Sequence, residues 1–374
     1  MPAEQAAASI AAPPAPDERD APRVERAGVD ASNFYKDAFV LYDQLTDEEK
    51  EMMRRPTEEV DAEKAEALFA KIQPIMELLR RGAAADYCDW GLGPLSFDTP
   101  LTYIGKSQSL AALALWNAAY RFPSDAAGAI DDLATRAGLG HHLSDTLIGW
   151  LVDASFEKSA TRLLLQNASS LNEEGRARAQ EFLSSSIIDP DIRRAMEGEM
   201  QFSRNAFEKL AAQRPEERPT FAQLQGVPDD LKDSEENRKF DSLIRDTAWL
   251  EAEFQQVRKM QSEMDEAMFW PDARFNEWAQ QFTKAFAAEH PLANSAIGVF
   301  PGTRTKLQAL RIEREMMNAG LAVLQSGPDQ LNQSRDPVTG RPFAYAPTPD
   351  GFELRSAFQV KGKPVTMTFT LPNQ

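Results

Sequence analysis

The sequence predicts a mainly α-helical protein: an irregular antiparallel helical array or bundle with a small C-terminal antiparallel β meander. Three observations predict it. Apolar residues recur at spacings of three and four from Asn33 to about Leu324, the period of one helix face. Beyond residue 335 the period falls to two, the pattern of a half-buried strand. Turn chemistry then separates the alternating runs at Pro349-Asp350-Gly351 and Lys361-Gly362-Lys363, where Pro presets φ and Gly accepts φ > 0.

Each element has its own justification. Residues 1–30 hold 14 Ala or Pro and no aromatic residue. Such a segment buries too little apolar area to offset its ordering entropy and reads as a disordered tail. Thr46 with Glu49 makes a capping box at a helix start. Ala65, Leu68, Phe69, Ile72, Ile75, Met76 and Leu79 form one helix face, with Pro74 expected to kink or split it. Gly82 stands where a C-cap belongs. Residues 86–100 read as a loop, rich in Gly and Pro. Leu110, Leu113, Trp116 and Tyr120 restart the helical pattern. A helix from about Ser124 is expected to end at Gly138 or Gly140, and the next to begin near Ser144. Leu147, Ile148, Leu151, Val152, Phe156 and Leu163 point inward from it, and the short connection makes the two antiparallel neighbours.

Asp189-Pro190 is a good N-cap and N1 pair, opening a stripe of Ile192, Met196, Met200, Phe207 and Leu210. Residues 213–235, with three prolines and surplus acid, read as a linker. The pattern from Glu236 to Trp270 predicts one helix of about 50 Å at 1.5 Å per residue. Its apolar side runs Phe240, Leu243, Ile244, Leu250, Phe254, Val257, Met264 and Met268. The stripe Phe275, Trp278, Phe282, Phe286 ends before Pro291, and a last helix spans about Thr303 to Gln325. Three strands follow, centred on Phe343 and Tyr345, on Phe352 to Val360, and on Val365 to Phe369. A sheet this small is marginal alone and should lean on the last helix. The domain reading is therefore a tail at 1–30, a helical domain at 31–212, a linker at 213–235, a long-helix segment at 236–335 and a β meander at 336–374. Helix pairs recur at intervals of roughly 35–45 residues, as in solenoids, but no repeated consensus accompanies them.

Composition bounds the function classes. The chain has 374 residues, with 41 Lys+Arg against 58 Asp+Glu and a net charge of −17. That balance disfavours nucleic-acid partners, which need a basic face, and anchoring on anionic lipid. One cysteine and three histidines exclude a disulfide framework and a Cys-rich metal site. No cofactor is expected. The longest apolar run, Leu110 to Trp116, is too short to span a bilayer, and residues 1–30 lack the pattern of a signal peptide.

The run Asp336-Pro337-Val338-Thr339-Gly340-Arg341-Pro342-Phe343-Ala344-Tyr345, followed by Asp350-Gly351-Phe352-Glu353-Leu354, resembles the C-terminal part of pseudopilin-like proteins. It is also similar to the end of a group of uncharacterised, mostly exported, helical bacterial proteins. Asn33 to Tyr42 and Cys88-Asp89-Trp90-Gly91 look like the same group. These matches cover about a sixth of the chain. The export signal or anchor usual in that group is not seen, nor is the pilin-type hydrophobic helix, so filament assembly is not implied. The resemblance implies an α-helical body, a small β tail and envelope or periplasmic association. It implies no activity.

Candidate chemistry is sparse. His141-His142 with Asp145 is the one histidine cluster, but adjacent helical positions point about 100° apart and chelate poorly; a polar turn before Ser144 is the simpler reading. His290 fits a cation at a helix C-terminus. Cys88 lies between Asp86 and Asp89, which raise a thiol pKa rather than lower it, and it reads best as a packed loop residue. Adjacent acids such as Glu48-Glu49, Glu58-Glu59, Asp131-Asp132 and Asp229-Asp230 carry little information among 58 acids. No phosphate-binding glycine loop, nucleophile elbow or EF-hand spacing occurs. The segment Asp86, Cys88, Asp89, Trp90 is the candidate binding loop, since it joins acid, aromatic and glycine-permitted backbone. Asp336, Thr339 and Asp350 form a candidate ion or turn site in the tail, with an Asx-type turn the simpler account. The Met-bearing face of the Glu236–Trp270 pattern suits a partner helix, though core packing explains it as well. The expectation is a non-enzymatic interaction or scaffold protein with a protein partner. The alternative is a carboxylate-dependent hydrolase working through the Asp86–Trp90 loop. A catalytic His, a metal set and the oligomeric state are not legible.

Overall fold

A computed structural model describes residues 28–55, 61–92, 99–185, 188–220, 223, 235–286, 290, 300–338 and 340–371. Residues 1–27 of the tail, residues 221–222 and 224–234 of the expected linker, Pro291 and Thr339 lie outside the described residues. The protein is mainly helical, with a three-stranded sheet at its C-terminal end.

The first helices are α1 (Ser32–Asp43), α2 (Asp47–Arg54) and α3 (Ala62–Ala83). The Thr46–Glu49 capping box is formed in both directions, with Thr46 N–H donating to Glu49 Oε2 at 2.7 Å. Pro74 sits inside α3 without breaking it. Leu68, Ile72, Ile75, Met76 and Leu79 are buried on both sides of the proline, and that continuous packed stripe outweighs the one lost backbone bond.

Next come α4 (Thr102–Arg121), α5 (Ala126–His141) and α6 (Leu147–Asn167). The helix expected to stop at Gly138 or Gly140 runs through both to His141. These glycines are sites of close approach rather than caps: a Cβ at Gly138 would meet Ala83, and one at Gly140 would overlap the Asp153 carboxylate. Helix α6 opens at Thr146, not Ser144; Thr146 Oγ1 accepts from Gly149 N–H at 3.0 Å.

Helices α7 (Glu173–Ser184) and α8 (Ile188–Ala212) follow, with Asp189 and Pro190 in the first turn of α8. The single 50 Å helix expected over Glu236–Trp270 is two helices, α9 (Glu235–Arg245) and α10 (Thr247–Ala267). Asp246 divides them. Its backbone is extended and its carboxylate accepts from the N–H groups of Ala248 and Trp249, starting a new helix. The apolar period continues across this N-cap, which is why periodicity alone hides it. The last helices are α11 (Asp272–Phe286) and α12 (Phe300–Ser326).

Strands β1 (Ala344–Thr348), β2 (Gly351–Val360) and β3 (Lys363–Thr370) form an antiparallel meander in the order β1-β2-β3. Phe352 faces Phe369, and Leu354 faces Met367. Lys361 and Gly362 both take positive φ, the conformation a tight hairpin turn needs. A bulge interrupts the β2–β3 register between Arg355 and Gln359. The inner face, with Phe352, Leu354, Met367 and Phe369, joins Met316, Met317 and Leu321 of α12 in one cluster.

Helix α6 is the central pillar. Leu147, Trp150 and Ala154 pack with α8, α10 and the start of α12. Phe156 packs with α1, α3 and α4. Ala160, Leu163 and Leu164 pack with α5, α7, the end of α12 and the sheet. Among the described residues no helix is long and apolar enough to cross a membrane.

Candidate functional site

The segment Asp86, Cys88, Asp89, Trp90 leaves α3 and is stapled to the residues that precede α1. Asp86 Oδ2 accepts from Val29 N–H at 2.8 Å, and Ala31 N–H donates to the Tyr87 carbonyl at 2.8 Å. Asp30 Oδ1 accepts from the N–H groups of Ser32 (2.9 Å) and Asp89 (3.0 Å). Asp89 Oδ1 accepts from Gly91 N–H at 2.8 Å, an Asx-type turn that Gly91 permits with φ +73. Both predicted acids therefore hold backbone donors.

Trp90 turns inward. Its indole stacks on Tyr35 and Tyr103, with ring centroids 5.6 Å and 4.8 Å away, and donates to the His142 carbonyl at 2.9 Å. Cys88 is buried beside it. Burial, then the charges of Asp30 and Asp145, push its thiol pKa far up, so the sulfur stays protonated and a poor nucleophile.

The histidine pair splits, as the 100° helical step requires. His142 points into the α1 side and meets the Tyr35 hydroxyl at 2.8 Å. Burial, then the neighbouring His141, lower its pKa to about 4. His141 points the other way, to Asp191 Oδ1 at 2.7 Å. Arg194 joins Asp191 (3.2 Å) to Asp145 (2.9 Å) and also donates to the His141 carbonyl. Below this group lie Asp153 and Glu157 of α6, both buried. Burial, then the charges of Glu157 and Asp191, raise the Asp153 pKa well above the carboxylate range. Glu157 is neutralised by Arg314 of α12 at 2.5 Å.

Sequence reasoning missed the roles of Tyr35, Glu157, Asp191, Arg194 and Arg314. Their separations, 107 residues for Tyr35–His142 and 157 for Arg314–Glu157, leave no spacing signal. His290, also singled out, meets the buried Glu253 at 3.2 Å.

In the tail, Asp336 is buried and Asp350 lies at the exposed β1–β2 turn. Asp336 Oδ1 accepts from Val338 N–H (2.8 Å) and Oδ2 from the Ser356 hydroxyl (2.7 Å). The Asp336 carbonyl accepts from Gly340 N–H at 2.8 Å. The carboxylate pins the tail onto β2. Among the described residues, no group of three or more His, Cys, Asp or Glu is arranged to hold a metal ion.

Helices α8 and α10 flank a trough of about 500 Å3. Phe207, Leu250 and Phe254 form its floor, and Ala211, Ala248 and Ala252 its shoulders. Phe207 and Phe254 stack with centroids 5.0 Å apart. The charged lining residues are Glu208 and Glu251, and the Arg258 guanidinium lies 6.0 Å from the centre of the Phe254 ring.

No family model, curated protein or solved structure matches this chain.

Proposed function

We propose that this chain is a non-enzymatic interaction or scaffold protein whose α8–α10 trough docks an amphipathic helix of a partner protein carrying basic flanks. The trough carries the reading. Its aromatic floor offers apolar area, and its alanine shoulders let another backbone approach closely, the geometry of helix-in-groove recognition. The two rim carboxylates and the net charge of −17 favour a basic partner and steer its approach. The inward acids and histidines support the same reading, because they hold turns and neutralise one another. Association with the cell envelope belongs to the proposal through the resemblance of the tail, and fractionation of the native protein tests it.

Titration with a synthetic Leu/Lys amphipathic helical peptide tests the trough. The peptide should saturate one site. Ala211→Lys/Ala252→Lys should weaken it about tenfold or more, equivalent to about 1.4 kcal/mol. Ala62→Lys/Ala67→Lys, the same charge change at exposed positions of α3, should leave it within about twofold. Absence of saturable binding, or equal losses in both variants, overturns the reading. So does a dimer that only the trough variant dissociates, since a second copy would then be the occupant.

A further inference from the structure

A second opening, independent of that trough, lies between α3, α4 and α5. It encloses about 550 Å3 and is lined by Phe69, Gln73, Arg80, Tyr120, Arg121 and Ser124, with Asp125 and Asp131 at its edge. Behind Arg80 and Arg121 lies Asp132, which is 0% exposed. Asp132 Oδ1 accepts from Arg80 at 2.7 Å. Its Oδ2 accepts from Asn117 at 2.6 Å and from Arg121 at 3.1 Å. Gln73 in turn donates to Asn117 Oδ1 at 3.0 Å. One buried carboxylate therefore fixes two guanidinium groups from two helices, and an amide pair fixes the carboxylate.

The guanidiniums are not consumed by this arrangement. Among the described residues, Arg80 engages Asp132 alone, and Arg121 engages Asp132 and Asp125. Each guanidinium carries five N–H donors, so both keep donors beyond those given to Asp132 and Asp125, and both side chains line the opening. Their side chains are 32% and 22% exposed. Asp131 is turned towards Arg178 at 3.9 Å. The opposite wall is aromatic: Tyr120 stacks on Phe69 (4.7 Å) and on Trp116 (5.5 Å), and Tyr120 is exposed. Preorganised guanidinium groups bind planar anions well because little side-chain freedom remains to be lost.

We propose that this cleft binds a small planar aromatic anion. The ring continues the Phe69–Tyr120 stack, and the anionic group takes the outward N–H donors of Arg80 and Arg121. Aryl carboxylates and aryl phosphates share this chemistry.

Calorimetric titration of the full chain with 4-hydroxybenzoate and with phenyl phosphate tests the site and separates the two sources. 4-Hydroxybenzamide and acetate serve as probes lacking the charge or the ring. At least one aryl anion should saturate a single site, with the amide and acetate each about tenfold weaker or silent. Arg80→Lys keeps a cation on Asp132 but removes the fork, and should weaken binding about tenfold. Tyr120→Leu should do the same by removing the stack. Ser124→Trp should block the opening without touching the Asp132 network, and serves if either other variant fails to fold. Silence of both aryl anions overturns the proposal, as does equal binding of the amide, or binding unchanged in the variants that fold.

Discussion

The Tyr35 hydroxyl meets His142 Nδ1 at 2.8 Å inside the protein, joining α1 to the end of α5. The neutral imidazole is the form this contact holds, because burial, then His141, lower the His142 pKa from 6.5 to about 4. The unfolded chain therefore binds a proton that the folded chain does not, between these two values. Stability should be present above pH 6.5 and fall as pH drops towards 4, by up to about 3 kcal/mol in total. Urea midpoints at pH 7 and pH 5 check this. His142→Gln should shrink the difference between them, and Tyr35→Phe should cost about 1 kcal/mol at pH 7.

Asp153 should act with the opposite sign. Burial, then Glu157 and Asp191, raise its pKa well above the ordinary 3.8, so above pH 3.8 the folded chain holds a proton that the unfolded chain has lost. Its contribution is complete below pH 3.8 and fades as pH rises through the folded value. Asp153→Asn keeps a neutral polar group in that space. Relative to the parent, the variant should gain stability as pH rises above 3.8, which urea unfolding at pH 4.5 and pH 7 measures.

Arg314 and Glu157 form a buried pair, with side chains 7% and 5% exposed. Arg314 also donates to the carbonyls of Phe182 (2.6 Å) and Leu183 (2.9 Å), closing the C-terminal end of α7. Arg314→Met should cost about 3–5 kcal/mol, because it strands a buried carboxylate. Arg314→Met/Glu157→Met should recover part of that loss. A double-mutant cycle by chemical denaturation measures the coupling.

Gly320 marks where the sheet rests on α12. A Cβ there would overlap the Phe369 ring. Gly320→Val should push β3 off the helix at a cost of about 2–3 kcal/mol. Hydrogen exchange should show faster exchange across β2 and β3, while α1 and α3 keep their protection.

Much of the architecture was legible before any coordinate. The 3.6 period placed α3, α6 and α12, because a buried stripe is written at fixed spacing along one chain, although Ile148, expected inside, is 53% exposed at the start of α6. The capping box at Thr46 and the turns at 349–351 and 361–363 were legible for the same reason: their partners lie within three residues. Boundaries were misread where tertiary contact overrode a local signal. Pro74 stays helical under a continuous packed stripe, Gly138 and Gly140 serve close approach, and Asp246 caps a new helix inside an unbroken apolar pattern.

The chemistry was far less legible. Residues 86–90 read as a site because acid, aromatic and glycine-permitted backbone fall together in sequence. In the fold, Asp86 and Asp89 accept from backbone amides and Trp90 is enclosed by Tyr35, Tyr103 and the His142 carbonyl. Asp131-Asp132, set aside among many acidic pairs, contains the one carboxylate that organises the α3–α4–α5 cleft.

By itself the sequence determined which stretches become helices and strands and which face of each is greasy, since those properties repeat along the chain at a fixed step. Only the tertiary structure decided which charges are neutralised and which remain available. An ion pair depends on distance and burial in space, and Arg80, Asn117, Arg121 and Asp132 meet from three helices with no rule of spacing to announce them.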